Sequence, residues 1–197
     1  MTEVVFQFNW SELFPIALPN GERIEVISYE EASQFIRDNT ERCFSGRTVS
    51  HDPEANLAER REAFYRLVGD FFGLFSEGRL VGVFLGNISD WSSYYVRFAM
   101  ILPDFQSGER YISFFRGVEK FLSSKSVARI NGQISPMNIP SFMSVSKLGY
   151  RITGMEVTDR WGVLLNFSKT FRNDDAFTSR HFTNTKIPFK EAERGAQ

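Results

Sequence analysis

The stretch NIPSFMSVSKLGY, Asn138 to Tyr150, is the segment on which the fold turns. An asparagine ahead of a helix can accept a hydrogen bond from a first-turn amide, and a glycine behind it can take the left-handed conformation that closes a helix. Asn138 and Gly149 stand in those two places, and Tyr150 opens a run with strand character. The segment reads as a short helix feeding directly into a strand.

Working outward, VARINGQIS (Val127–Ser135) reads as the strand before it. Further upstream, Tyr111, Phe114, Phe115, Val118, Phe121 and Leu122 recur at the spacing of one buried stripe, which predicts a helix over Glu109–Leu122. SSYYVRFAMILPDF (Ser92–Phe105) is a strand stopped by Pro103, because proline cannot donate to a ladder. FFGLFSEGRLVGVFLGNI (Phe71–Ile88) is a hairpin turning at Ser76–Arg79, so three antiparallel strands lie together. Towards the N-terminus, ERIEVIS (Glu22–Ser28) alternates like a half-buried strand, and YEEASQFIRDNTER (Tyr29–Arg42) follows as a helix with acids first and a base last. Residues Pro53 to Asp70 form a second helix, with Leu57, Phe64, Leu67 and Val68 available for its buried face. After the opening segment, Tyr150–Thr158 and Arg160–Phe171 read as a closing pair of strands joined near Asp159 and Arg160.

This order predicts one α/β (α+β) domain over residues 1–169, a mixed central sheet flanked by helices, followed by a polar C-terminal tail over 170–197. The Glu109–Leu122 helix crosses between two strands that can lie parallel. With 42% hydrophobic and 24% charged residues, the composition is that of a globular domain, neither disordered nor membrane-spanning. The 23 basic and 24 acidic residues leave a net charge of -1, so no global field attracts nucleic acid or an anionic bilayer, and neither is expected as a partner. Cys43 is the only cysteine, which excludes an internal disulfide and a multi-cysteine metal site. His51 and His181 lack ligand spacing, so no metal is expected. The N-terminal MTEVVFQFNWSELFP lacks the basic and apolar regions of a signal peptide, and the expected location is cytoplasmic. Most of the 21 phenylalanines are expected in the core.

The opening segment resembles the last conserved motif of the GNAT superfamily of acyl-CoA N-acyltransferases: Asn138, a small residue at Ser141, Val145, then Lys147-Leu148-Gly149-Tyr150. Upstream, MILPDFQSGERYISFFRGVEKFL (Met100–Leu122) is similar to that family's strand, pyrophosphate-binding turn and long helix taken together. In such a turn, amides and a helix N-terminus converge on one space, which suits the diphosphate of coenzyme A. The resemblance covers about residues 22 to 169 and implies acetyl-CoA or another acyl-CoA as donor. It places the pantetheine arm along Met100, Ile101 and Leu102. The diphosphate falls at Gln106, Ser107, Gly108, Glu109, Arg110 and Tyr111, and Asn138 meets the arm from the other side.

Three positions depart from the family pattern. The turn carries Glu109 and Tyr111 where small residues are usual, and Val145 stands where many members have a tyrosine that protonates the departing thiolate. The family's general base, often a glutamate on the preceding strand, corresponds to Tyr95, and Arg97 on the same strand face could lower its pKa or bind an acidic substrate. The candidate catalytic residues are accordingly Tyr95 and Ser135, with Arg97 and Asp90 as candidate substrate contacts. The implied function is transfer of an acyl group, most simply acetyl, to an amine of a small molecule or peptide. A longer acyl donor, carried by an acyl carrier protein, and a non-catalytic binding module of the same fold remain as alternatives. The final strands or the tail could pair two copies as a homodimer.

Overall fold

A computed structural model of the chain describes residues 8–18, 21–44, 58–159 and 161–171. Among these, eight strands form one sheet: β1 (Ile16–Ala17), β2 (Arg23–Val26), β3 (Asp70–Ser76), β4 (Arg79–Asp90), β5 (Ser93–Ile101), β6 (Arg129–Ile134), β7 (Arg151–Thr158) and β8 (Gly162–Thr170). Their spatial order is β1-β2-β3-β4-β5-β6-β8-β7, and β5 and β6 are parallel while every other neighbouring pair is antiparallel. The helices are α1 (Tyr29–Phe44), α2 (Ala58–Val68), α3 (Gly108–Ser124) and α4 (Ile139–Lys147). The predicted α/β domain with its mixed sheet is the one that forms.

Local chemistry fixes the element ends. Ser28 and Glu31 make a reciprocal capping box at the start of α1, the Glu31 amide donating to Ser28 Oγ at 3.1 Å and the Ser28 amide to Glu31 Oε2 at 2.8 Å. Asn138 caps α4 through Oδ1, which accepts from the Ser141 amide at 3.4 Å. That helix closes with the Tyr150 amide on Val145 O, the Gly149 amide on Ser146 O and Gly149 at a φ of 82°. This is a Schellman ending, which explains the Leu-Gly-Tyr sequence: only a residue without Cβ takes the left-handed position at low cost. Glu77 and Gly78 both have positive φ in the β3–β4 turn, as a two-residue hairpin requires.

The face of the sheet covered by α3 holds an aromatic core. Phe84 stacks on Phe114 with centroids 4.0 Å apart, Phe14 stacks on Phe72 at 4.6 Å, and Trp10 packs against Phe72 and Phe121 at 4.8 Å each. The α3 stripe read from the sequence is buried from Phe114 to Leu122. Trp10 and β1 were not legible as elements, because a two-residue strand carries no periodicity; they enter by packing on this core. The α2 face is a correction. Phe64 and Leu67 are exposed; Val68 is half-buried as expected, and Tyr65 takes the place of Phe64 on the inward side. Pro53, Leu57, both histidines and the tail from residue 172 lie outside the described residues. No helix among the described residues is long and apolar enough to cross a membrane.

Candidate active site

The parallel pairing of β5 with β6 runs only from Ser93↔Arg129 to Val96↔Gly132. Beyond it, β5 stays on β4 as far as Ile101 and β6 stays on β8 as far as Ile134, so the sheet opens into a gap between the two strands. A bulge helps the opening: Leu85 faces Phe98 and Gly86 faces Val96, which leaves Arg97 as the extra residue. The Leu102 amide donates to Val81 O. Alternation along an antiparallel ladder then directs the peptide groups of Met100 and Leu102 to β4, and those of Ala99 and Ile101 into the gap. The expectation that Met100 and Leu102 line a donor is corrected on this point, since their polar groups face the sheet.

The turn after β5 brings the start of α3 to the end of the gap, where its polar side chains already have partners. Gln106 Nε2 donates to Ile101 O at 2.9 Å, so the carbonyl that faces the gap is occupied. Ser107 caps α3, its Oγ accepting from the Arg110 amide at 3.4 Å. The Arg110 guanidinium reaches both carboxylate oxygens of buried Glu22, and its third nitrogen donates to Phe105 O at 2.7 Å. The hydrogen bond from Arg110 holds the Glu22 carboxyl below the usual carboxylate range. Arg42 pairs with Asp104 in the same turn. Tyr111 stacks on Phe115 at 4.5 Å, and burial raises its phenol well above the ordinary value. The side chains of Arg110 and Tyr111 thus belong to the fold rather than to an open turn, a correction to their expected role. Glu109 is exposed at the first turn of α3, beside Gly108.

On the face of the sheet opposite α3 lies a row of polar side chains. Asn87 on β4 pairs with Tyr95 on β5, which pairs with Asn131 on β6; Gln133 on β6 pairs with Asn166 on β8. Arg97 stacks on the Tyr95 ring at 4.5 Å and donates from Nε to Asn87 Oδ1 at 2.7 Å. Gln133 Nε2 donates to Glu156 Oε2 on β7 at 2.6 Å and to Asn166 Oδ1 at 2.9 Å. Ser168 Oγ donates to Asn131 Oδ1 at 2.8 Å. Burial raises the Tyr95 phenol above its ordinary value, and the opposing pull of Arg97 does not reverse this. Tyr95 therefore stays protonated at neutral pH, which corrects its expected role as a base. Glu156, Gln133, Asn87 and Asn166 went unnoticed in the sequence. The signal was the polar alternation of Asn131 with Gln133, and of Asn166 with Ser168, in strands that are otherwise apolar.

The structure separates the remaining candidates. Ser135 follows β6 at the open end of the gap, its Oγ accepting from the Met137 amide at 3.3 Å. Asp90 lies beyond the closed end of the β5–β6 pairing, where it accepts from the Ser92 amide at 2.8 Å and pairs with Arg129 at 3.5 Å. It is not brought to the gap. Val145 is 1% exposed inside the core, and Asn138 is committed to its cap. A depression of about 540 Å³ between α1 and Leu80 is lined by Glu30, Glu31 and Asp38, away from the gap, and has no arrangement for chemistry.

This fold, a mixed sheet whose one parallel pair splays beside a bulge with a long helix starting at the mouth, is shared with solved GNAT acetyltransferases. The chain resembles ribosomal-protein-S5-alanine acetyltransferase from Vibrio fischeri at 16% identity and a TM-score of 0.59, over 82% of this chain and 97% of that one. It resembles the PaiA N-acetyltransferase from Thermoplasma acidophilum, solved in complex with coenzyme A, at 16% identity and 0.56, over 76% and 99%. A GNAT family acetyltransferase from Elizabethkingia anophelis with acetyl-CoA bound is similar at 11% identity and 0.55, over 78% and 99%. No family model and no curated protein matches the chain.

Proposed function

We propose that this protein transfers an acyl group, most simply acetyl, from coenzyme A to an amine of a small molecule or peptide. The observation that carries the reading is the gap itself: the edge of β5 beyond Val96 has no strand on its open side among the described residues, and Ala99 and Ile101 direct their peptide groups there. A pantetheine arm carries amides that can take the place of the missing strand. At the end of that edge, the Gly108 and Glu109 amides begin α3, and helix N-termini favour anions such as a diphosphate. The amine would attack the thioester carbonyl from the polar face and expel the thiolate. Holding amine and thioester together supplies about 7–11 kcal/mol of the barrier. Tyr95, kept protonated by burial, can donate a proton to the leaving sulfur in place of the tyrosine missing at Val145.

A second reading has the donor arrive on an acyl carrier protein. It is favoured by one observation: the cations beside the turn are paired, Arg110 with Glu22 and Arg42 with Asp104, so a diphosphate would meet backbone amides and the Glu109 carboxylate. Exposed Met155 and Val157 on the edge strand β7 suit a homodimer closed along that edge, which gel filtration reads. Thermal melts decide between the donors. Acetyl-CoA at a hundred times its dissociation constant should stabilise the protein by about 2.7 kcal/mol. A melt unmoved by acetyl-CoA but raised by acylated carrier protein selects the second reading, and a melt unmoved by either rejects acyl transfer.

A further inference from the structure

The ladder between β4 and β5 is irregular twice. Leu85 faces Phe98 and Gly86 faces Val96, so Arg97 is extra on β5; Ile88 faces Tyr94 and Asp90 faces Ser93, so Ser89 is extra on β4. Between these points lie the pairs Gly86↔Val96, Asn87↔Tyr95 and Ile88↔Tyr94, with Asn87 in the middle. Asn87 is 1% exposed, although asparagine is a poor strand former and a buried amide is costly unless bonded. Both ends of its amide are bonded. Oδ1 accepts from Arg97 Nε at 2.7 Å, and Nδ2 donates to Ile88 O at 2.6 Å. One buried side chain thus holds the extra residue of the first irregularity and the last paired carbonyl before the second.

The first irregularity decides what the gap presents. Val96↔Gly132 is the last parallel pair, so β5 leaves β6 at Arg97 itself. A ladder without the extra residue would pair Leu85 with Arg97 and move every later residue of β5 by one place. Ala99 and Ile101 would then turn their peptide groups to β4, and those of Met100 and Leu102 would face the gap. Hydrophobicity does not choose between the two registers, because Phe98-Ala99-Met100-Ile101 is apolar at every position and lacks the alternation that fixes a half-buried strand. Such a run needs a polar pin, and the bond between Asn87 and Arg97 stands where the run begins.

We infer that Asn87 is a positioning residue: its buried amide pins Arg97 as the extra residue and so fixes the register in which Ala99 and Ile101 face the gap. That these groups meet a donor there rests on the acyl-transfer reading; the pin itself does not.

The test uses the full chain, with amide hydrogen exchange followed by NMR in the absence of ligand and calorimetric titration with acetyl-CoA. In the wild type, Met100 and Leu102 should exchange more slowly than Ala99 and Ile101. Asn87→Leu fills the buried place with an apolar side chain and removes both hydrogen bonds, so this contrast should collapse or reverse. Acetyl-CoA should bind that variant about tenfold or more weakly, because only a fraction of the chains offers the competent register, and saturation should restore the wild-type contrast. A residue that contributed only stability would lower the melting temperature and leave both contrast and affinity as they were. Arg97→Met removes the other partner from an exposed position, so it tests the pin with the core untouched and should act in the same direction. A wild-type contrast in both variants, or wild-type affinity in a variant whose contrast has changed, overturns the inference. A wild type that binds no acetyl-CoA rejects the donor reading, and exchange in the two variants still decides the pin.

Discussion

The two ends of the proposed site treat their polar side chains in opposite ways. At the mouth of α3 they satisfy one another: Gln106 with Ile101 O, Ser107 with the Arg110 amide, Arg110 with Glu22, Arg42 with Asp104. On the polar face, Arg97 and Glu156 are aimed by Asn87 and Gln133 and left without opposite charge among the described residues. The contrast teaches that side chains at the first end maintain the shape of a backbone edge, while those at the second are held by neutral amides and left at the surface. Substitutions at the mouth should therefore be read out in stability, and substitutions on the face in binding and rate.

The largest effect should come from Glu22→Ala. Glu22 is 5% exposed, and its removal strands the Arg110 guanidinium in a mostly buried place. Urea unfolding should show a loss of about 3–5 kcal/mol, as for other broken buried pairs. A loss below 1 kcal/mol would mean that the mouth is not held by this pair. Tyr95→Phe should do the opposite: stability close to wild type, and turnover with acetyl-CoA down by about 10²- to 10⁴-fold if the phenol acts as proton donor. Equal turnover would remove Tyr95 from the chemistry.

A third prediction uses the two faces of the sheet. Glu156 is exposed on one, whereas Asp70 is half-buried on the other, where its Oδ1 accepts from Trp10 Nε1 at 2.6 Å and the Tyr94 hydroxyl lies beside it, over Gly86. Burial lifts the Asp70 carboxyl from its ordinary 3.8 to about 6. The folded chain then holds a proton that the unfolded chain releases between those values. The stability linked to this group is full below pH 3.8, declines as pH rises towards 6, and stays lost above, by about 3 kcal/mol. Asp70→Asn keeps an oxygen for the indole and abolishes the ionisation. It should therefore stabilise the protein at pH 8 and change little at pH 4, as read by melts at the two values.

The smallest effect belongs to Glu109→Gln. Losing an acid from the first turn of α3 should reduce stability by about 0.3–1 kcal/mol, and the same change should strengthen acetyl-CoA binding by removing a like charge from the diphosphate's place. Weaker binding in calorimetry would show that the donor lies elsewhere.

The fold was legible because its decisive signals are local. The α3 stripe, the Glu77-Gly78 turn, and the Asn138 cap with its Gly149 ending each arise within a few residues. The site was legible only in its backbone. Residues 106–111 were correctly placed at a helix mouth, but the engagement of Arg110 depends on Glu22, distant in sequence and contributed by the loop before β2. Tyr95 was placed on the right strand, yet its protonation depends on burial, which a sequence does not display. Glu156 was missed because it lies on β7, three strands from β5, and meets the polar row through Gln133. Long-range pairing and burial, rather than propensity, separate what was read from what was not.

The claim beneath the whole account is that the open edge of β5 receives the donor. Amide hydrogen exchange followed by NMR, with and without acetyl-CoA, tests it at the residues concerned. Ala99 and Ile101 should become protected when acetyl-CoA binds, together with Gly108 and Glu109, while Met100, already directed to β4, should change little. Protection that leaves Ala99 and Ile101 exchanging as before would contradict the assignment.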